Sequence, residues 1–471
     1  MFDVTISAGV VCTQRSVYSW SENVDLVKGD ISMKVVQKMQ ALVRDSKKEL
    51  QATESISHNP KRRAMLGRSI AYAGAIGAAG AAAGAKASEI LPIPGSNTTM
   101  GREMPPNEYG MPSKYEGHVR RRRTDVFVNR QNYSDWSMTP LHQQHGIVTP
   151  NGLIFERHHN GVPDINPDQH KFVIHGMVRQ PLIFSMEDLV KYPSVSKFYF
   201  MECSGNGLTD WLTPRSKTVQ QTHGLLSCAQ WTGVPVSTLL EEAGLLKEAQ
   251  WGLAEGADGA AHARSIPIKK LLDDSLVVYA CNGEMLRPEN GYPLRMFTPG
   301  WEGNTSVKWL RRLKIGDKPW HLRSETARYT DPMPGGKWRQ FSFEMEAKSV
   351  ITSPSGGMTI KPGTIEIVGF AWSGVGKIRT VDVTLDGGRT WREARLEEPV
   401  LDKTLTRFRF NWKWDGGPVT IASRATDSTG YVQPTVEDIK KVRAIVGFVQ
   451  HHNGIFPWSI NTSGEVQNAI G

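Results

Sequence analysis

FYFMECSGNG, residues 198–207, is an aromatic-rich apolar run that leads into Cys203 and then into a glycine-rich turn. Aromatic side chains favour extended backbone, and glycine with short polar residues favours a tight turn. The stretch therefore reads as a strand that delivers a thiol to the start of a loop. On these ten residues alone the thiol reads as a small hydrophobe packed in a core; its surroundings have to decide whether it is also a ligand for a soft metal. The chain has four cysteines, Cys12, Cys203, Cys228 and Cys281, and no C-x-x-C or C-x-x-C-H spacing. A metal at Cys203 must then be held mainly by groups other than protein.

The 471 residues and 39% hydrophobic content give room for two or three domains with ample core. The formal charge of +9 is concentrated at the start, where residues 1–87 hold 12 Lys or Arg against 7 Asp or Glu. The remaining +4 is too small to argue for a polyanion, so nucleic acid is not expected as a partner. Arg120 to Arg123 form a dense basic cluster, which reads as a solvated face or a subunit contact.

Residues 58–87 contain Lys61-Arg62-Arg63 followed by a long Ala/Gly-rich stretch and Ala85-Lys86-Ala87. This pattern reads as a twin-arginine export signal. It is short and weakly apolar for a membrane span, so the mature chain is expected to have none. Export by that route implies a protein folded around a cofactor before it reaches the periplasm. Residues 1–57 are then either an unusually long leader or the product of a misassigned start, with Met33 an alternative.

From 88 to 140 the composition predicts an extended arm rich in Pro, Gly, Asn and charge. Residues 141–342 mix strand-like runs, KFVIHGMV and KFYFMEC, with short helical patterns at 185–192 and in PVSTLLEEAG, the texture of an α+β domain. No G-x-G-x-x-G or G-x-x-x-x-G-K-[ST] loop supports a nucleotide fold. From 343 to 471 closely spaced β patterns follow (KSVITSP, GTIEIVGFAW, IRTVDVTLDGG, FRFNWKW and VTIASRATD), with a hairpin signal at Asp386-Gly387-Gly388. They predict an immunoglobulin-like β-sandwich, with Trp372, Trp391, Trp412 and Trp414 as packing residues.

Cationic groups that suit an anionic cofactor lie in IVTPNGLIFERHHNGVP, with Arg157, His158 and His159, and in RPENGYPLRMFTPGWEGNTSVKWL, with Arg295 and Lys308. The two adjacent histidines would also suit zinc, although a third ligand at suitable spacing is missing. Ser204 and Asn206 add short polar groups beside the thiol.

Together TPNGLIFERHH, ECSGNG, NGYPLR, SVKWL and DGGRTW, in this order and spacing, resemble the sulfite oxidase family of molybdopterin enzymes, and within it the molybdenum subunits of sulfane dehydrogenases. The resemblance covers the mature chain and excludes residues 1–57. It implies a sulfite-oxidase-type molybdopterin domain followed by a β-sandwich dimerisation domain, with a molybdenum–molybdopterin (Mo cofactor) centre. By the same resemblance Cys203 is the metal's thiolate ligand, with two further sulfurs from the cofactor's dithiolene. Arg157, His159, Ser204, Arg295 and Lys308 contact the cofactor, and Arg157, Tyr329 and Arg443 face the substrate. Asn290 stands where oxidases of the family have histidine, Leu208 where they have arginine, and Gln220 where they have a pocket tryptophan. The loss of a cation at 208 suits a larger sulfur substrate than free sulfite. The implied partners are a c-type cytochrome subunit as electron acceptor, a sulfur-carrier protein bearing a cysteine persulfide, and a second copy of the chain in a homodimer within a larger heteromer. Oxidation of free sulfite by the same centre is the alternative.

Overall fold

The computed structural model describes residues 109–123, 134–207, 210, 214–443 and 450–470. The leader, the export signal, Cys12, much of the arm and Leu208 lie outside the described residues.

The aromatic run before Cys203 is a strand, Val195–Glu202, whose last four residues are buried. It pairs antiparallel with Leu226–Pro235 from Val195 opposite Gly233 to Glu202 opposite Leu226. Beyond that strand lie Leu276–Cys281 and then both Glu284–Met285 and Arg295–Phe297, completing a five-stranded sheet. A second five-stranded sheet runs in the order Leu182–Phe184, Phe172–Gly176, Leu310–Gly316, Trp251–Gly256, Ala263–Pro267, and only its Phe172–Gly176/Leu310–Gly316 pair is parallel.

Short helices fill the space beside the sheets. Val236–Ala243 buries Val236, Leu239, Leu240 and Ala243, the i, i+3, i+4, i+7 stripe of an amphipathic helix. Gly244, left-handed at φ 71°, ends it. Met186–Leu189 starts at Ser185, whose hydroxyl accepts from the Asp188 N–H in a capping box.

The second half is a two-sheet sandwich. One sheet orders Lys348–Ser353, Gly363–Trp372, Thr406–Trp414 and Arg395–Glu397; the other orders Arg392–Glu393, Ile378–Thr384, Val419–Asp427, Trp458–Ile460 and Val466–Asn468. Their facing sides bury Ile367, Phe408 and Trp412 from the first sheet and Val381 and Ile421 from the second, as a sandwich core requires. Phe370 and Trp372 are buried on the opposite face of the first sheet. Trp414 is buried as well, whereas Trp391 sits half-buried with the Arg424 guanidinium 4.4 Å from its ring centre. The Asp386-Gly387-Gly388 hairpin is longer than a two-residue turn. Its strands re-pair at Val383 and Arg392, and the Asp386 carboxylate accepts from the Thr390 N–H (2.9 Å) and hydroxyl (2.6 Å).

The two halves share a core. Phe200, Leu226 and Cys228 belong to the same buried cluster as Val350 and Trp372. Val195–Glu202 is the outermost strand of its sheet, and such an edge needs cover. The sandwich supplies it: the Phe200 N–H donates to the Lys403 carbonyl at 2.9 Å.

Candidate functional site

Cys203 follows directly on the buried strand and stands half-buried at the wall of a cavity. Its N–H donates to the Leu225 carbonyl (3.0 Å) and its carbonyl accepts from the Asn206 N–H (2.9 Å). Gly207 completes the turn at φ 89°. Of the residues singled out in the sequence, Arg157, His159, Asn290, Arg295, Lys308 and Tyr329 line the same cavity.

Each is placed by a distinct local device. Arg157 lies on the short strand Glu156–Arg157, opposite Trp136, and its guanidinium sits 5.6 Å from that ring and donates to the His158 carbonyl. Arg295, on Arg295–Phe297, is 2% exposed and donates to the carbonyls of Asn290 (2.9 Å) and Ser306 (2.8 Å). Lys308 donates to the carbonyls of Arg157 (3.1 Å) and Glu289 (3.0 Å) and to His158 Nδ1 (2.9 Å). The next residue, Trp309, takes a left-handed backbone at φ 55° that non-glycine residues rarely adopt. Its ring centre is 4.5 Å from the Lys308 ammonium. The Tyr329 hydroxyl lies 3.2 Å from His159 Nε2.

Three cations thus face one cavity, and among the described residues none of the three makes an ion pair with a carboxylate. The carboxylates of the wall are committed elsewhere: Glu289 lies 3.4 Å from Arg121, and Asp258 accepts from the His262 N–H at 3.0 Å. Burial, reinforced by the neighbouring Arg295 guanidinium, pushes the Lys308 ammonium well below its usual value. Burial likewise lowers Arg295 to about 10. Burial, then the Arg157 charge, holds the His159 imidazole down to about 3, neutral at physiological pH. Buried positive charge of this kind calls for an anionic guest. A thiol on the wall adds a soft donor for a metal carried by that guest. The donor set fits a molybdenum centre on an anionic pterin: Cys203 toward the metal, with Arg157, Arg295 and Lys308 toward the anionic periphery.

Close backbone packing under the thiol is part of the same cradle. A Cβ on Gly303 would lie 2.8 Å from the Glu202 carbonyl oxygen and 3.6 Å from the Cys203 Cα. Gly303→Ala is therefore expected to push the Cys203 turn outward and cost about 1–3 kcal/mol; thermal melts and cofactor content of the variant check this.

His158, adjacent to the cation cluster, is fixed in one tautomer. Its Nδ1 accepts from Lys308 and its Nε2 donates to Glu156 at 2.8 Å. Glu156 also pairs with Arg121 of the arm. Burial would raise the Glu156 carboxyl, but the His158 hydrogen bond and the Arg121 charge outweigh it and hold it below its ordinary 4.5. A depressed carboxyl contributes stability above its unfolded value and loses it as pH falls through the folded one. The melting temperature is expected to decline on acidification below about 4.5, and Glu156→Gln to flatten that limb of the profile.

Two of the sequence-derived site residues stay off the wall. Ser204 is buried beneath the turn, where its hydroxyl accepts from Asn304 Nδ2 (3.3 Å) and its carbonyl from the His451 N–H (2.7 Å). Arg443 is turned inward. Its Nη1 donates to the carbonyls of Gln450 (2.8 Å) and His451 (3.1 Å), with Asp331 Oδ2 at 3.7 Å. It joins the sandwich to the strand after Tyr329 instead of facing the cavity. Gln220 also lies elsewhere, its amide donating to the carbonyls of Met138 (2.8 Å) and Arg120 (3.1 Å). Conversely, His262 and Asn304 line the cavity without having been singled out. His262 Nε2 meets the Asn304 carbonyl at 3.0 Å, a pairing across 42 residues that carries no local spacing signal. Cys228 and Cys281 are fully enclosed, and burial pushes both thiols up to about 12, leaving them inert.

Residues 159–323 match the oxidoreductase molybdopterin binding domain and residues 339–457 the Mo-co oxidoreductase dimerisation domain. The two matches define a molybdopterin oxidoreductase that carries its own dimerisation module. The chain is 31% identical over 334 residues to sulfite oxidase of Gallus gallus, covering 65% of this chain and 72% of that protein. To the mitochondrial sulfite oxidase of Rattus norvegicus it is 30% identical over 353 residues, covering 69% of this chain and 64% of the relative's length. In the crystal structure of the sulfane dehydrogenase SoxCD from Paracoccus pantotrophus, a chain 42% identical superposes with a TM-score of 0.79, covering 82% of this chain and 99% of that one. The chain belongs to the sulfite oxidase family. Its cofactor is accordingly molybdenum–molybdopterin.

Proposed function

We propose that this chain is the molybdenum subunit of a sulfane dehydrogenase, oxidising sulfane sulfur carried as a cysteine persulfide on a partner protein. The observation that carries the molybdenum chemistry common to both readings of the substrate is the cavity itself. It sets one thiol, Cys203, among three cations that make no ion pair with a carboxylate among the described residues. The 42% identity to a chain of the Paracoccus pantotrophus sulfane dehydrogenase supports the choice of substrate class.

When bound, the molybdenum pterin supplies oxygen transfer to sulfur and takes up two electrons. Arg157 holds the anionic sulfur group and stabilises charge that develops on its oxygens. Burial pushes the Tyr329 phenol up to about 12, so it stays protonated and donates a hydrogen bond to an incoming or departing oxygen. His159, neutral and 3.2 Å away, orients that hydroxyl. Cys203 fixes the metal through its thiolate. The chain has no C-x-x-C-H haem site, so electrons pass to a separate c-type cytochrome subunit.

We place this chemistry in the periplasm after twin-arginine export, in a homodimer formed through the sandwich within a larger heteromer. Residues 141–342 would form the catalytic domain and 343–471 the dimerisation domain. No helix among the described residues is long and apolar enough to cross a membrane.

A sulfite dehydrogenase is the second reading, favoured by the same three cations, which suit a small free dianion. Steady-state turnover with cytochrome c as acceptor separates the two. The proposal expects the persulfidated carrier to give the higher kcat/KM; efficient turnover of free sulfite with none of the carrier would reject it.

A further inference from the structure

Immediately before the thiol, Glu202 is wholly buried and points away from the cavity into the sandwich. Its Oε1 accepts from Lys348 Nζ at 2.9 Å and from Asn206 Nδ2 at 2.9 Å, and its Oε2 accepts from Trp372 Nε1 at 2.7 Å. Lys348 has 1% of its side chain exposed and also donates to the Asn206 carbonyl at 3.1 Å. Lys348 and Trp372 face each other across the first two strands of the sandwich. A further clasp from the same half comes from the His451 N–H on the Ser204 carbonyl at 2.7 Å. Residues 202, 204 and 206 are thus all gripped from the sandwich, and Cys203 lies between them.

A buried ion pair contributes little net stability compared with apolar residues of the same volume, because desolvation offsets its attraction. What such a pair does supply is a fixed geometry, and here the fixed atoms flank the thiol. We propose that Glu202 and Lys348 are a positioning pair for Cys203, through which the sandwich domain sets how the thiol meets the metal in the cavity. The inference rests on Cys203 being the metal's thiolate.

The test uses cofactor-loaded full-length protein and the variants Lys348→Met, Glu202→Gln and the two combined. Molybdenum per pterin is followed during dialysis, and the Mo(V) electron paramagnetic resonance signal is recorded beside the melting temperature. Each single variant is expected to shift the g-values and to lose molybdenum roughly 10-fold faster than wild type. The combined variant, with neither charge left unpaired, is expected to lie closer to wild type than either single one. Trp372→Phe, which removes one hydrogen bond and keeps an aromatic ring, decides the question if a charge variant does not fold. It is expected to shift the signal in the same direction by less.

Wild-type g-values and retention in the folded variants, even with a lowered melting temperature, would overturn the proposal and leave the pair a domain fastener. A combined variant worse than both singles would overturn it too. Absence of molybdenum and pterin from the wild-type protein would instead refute the cofactor reading, so the two failures are distinct.

Discussion

Cys203→Ser is expected to lower kcat for sulfur oxidation by roughly 100-fold or more, with the melting temperature of the protein little changed. Residues that only orient a ligand typically cost 10- to 100-fold in metal affinity or activity when replaced, so loss of the ligand itself belongs at or above the top of that range. Serine is close to cysteine in size, and its hydroxyl is a hard, weakly acidic donor poorly matched to a sulfur-coordinated metal. Burial pushes the free Cys203 thiol up, and the Gly205 N–H and the Arg157 charge only partly offset this. Without a metal the group would stay a protonated thiol; coordination is what makes it a thiolate. Retained turnover in the serine variant would show that the thiol is only packing.

Arg157→Met is expected to lower kcat/KM by roughly 10- to 150-fold, the equivalent of about 1.5–3 kcal/mol for one charge-assisted contact. The larger part should appear in KM, since in the proposed role the guanidinium would hold the anionic substrate before as well as during the reaction. Methionine keeps much of the aliphatic length that packs beside Trp136, whose ring lies 5.6 Å from the guanidinium carbon. Arg295 and Lys308 remain in the wall, so cofactor content should hold while catalysis falls. An unchanged kcat/KM at full molybdenum content would remove Arg157 from substrate binding.

Local patterns carried the strands of this chain a long way. KFYFMEC is the edge strand Val195–Glu202, and the five β patterns after residue 343 are strands of the sandwich. Their arrangement had no local sign. Nothing in KFYFMEC announces that the strand lies at a sheet edge and is covered by a domain that begins about 140 residues later.

The site divides along the same line. Cys203, Arg157, His159, Arg295, Lys308 and Tyr329 are six polar or reactive residues in short motifs, and they converge on one cavity. Ser204 and Arg443, named from the same motifs, lie off the cavity wall, the Ser204 hydroxyl accepting from Asn304 and Arg443 donating to the Gln450 carbonyl. Gln220, at a position where the family has tryptophan, donates to the Met138 carbonyl. Glu202 and Lys348 show the converse. Separated by 146 residues, they form a buried contact that only the folded chain can assemble.

On the proposed assignment the cofactor's dithiolene would bring two sulfurs to the metal and Cys203 a third. Molybdenum K-edge X-ray absorption on cofactor-loaded wild type and Cys203→Ser counts them. Three sulfur scatterers in the wild type and two in the variant are predicted; the same number in both would contradict the assignment of Cys203 to the metal.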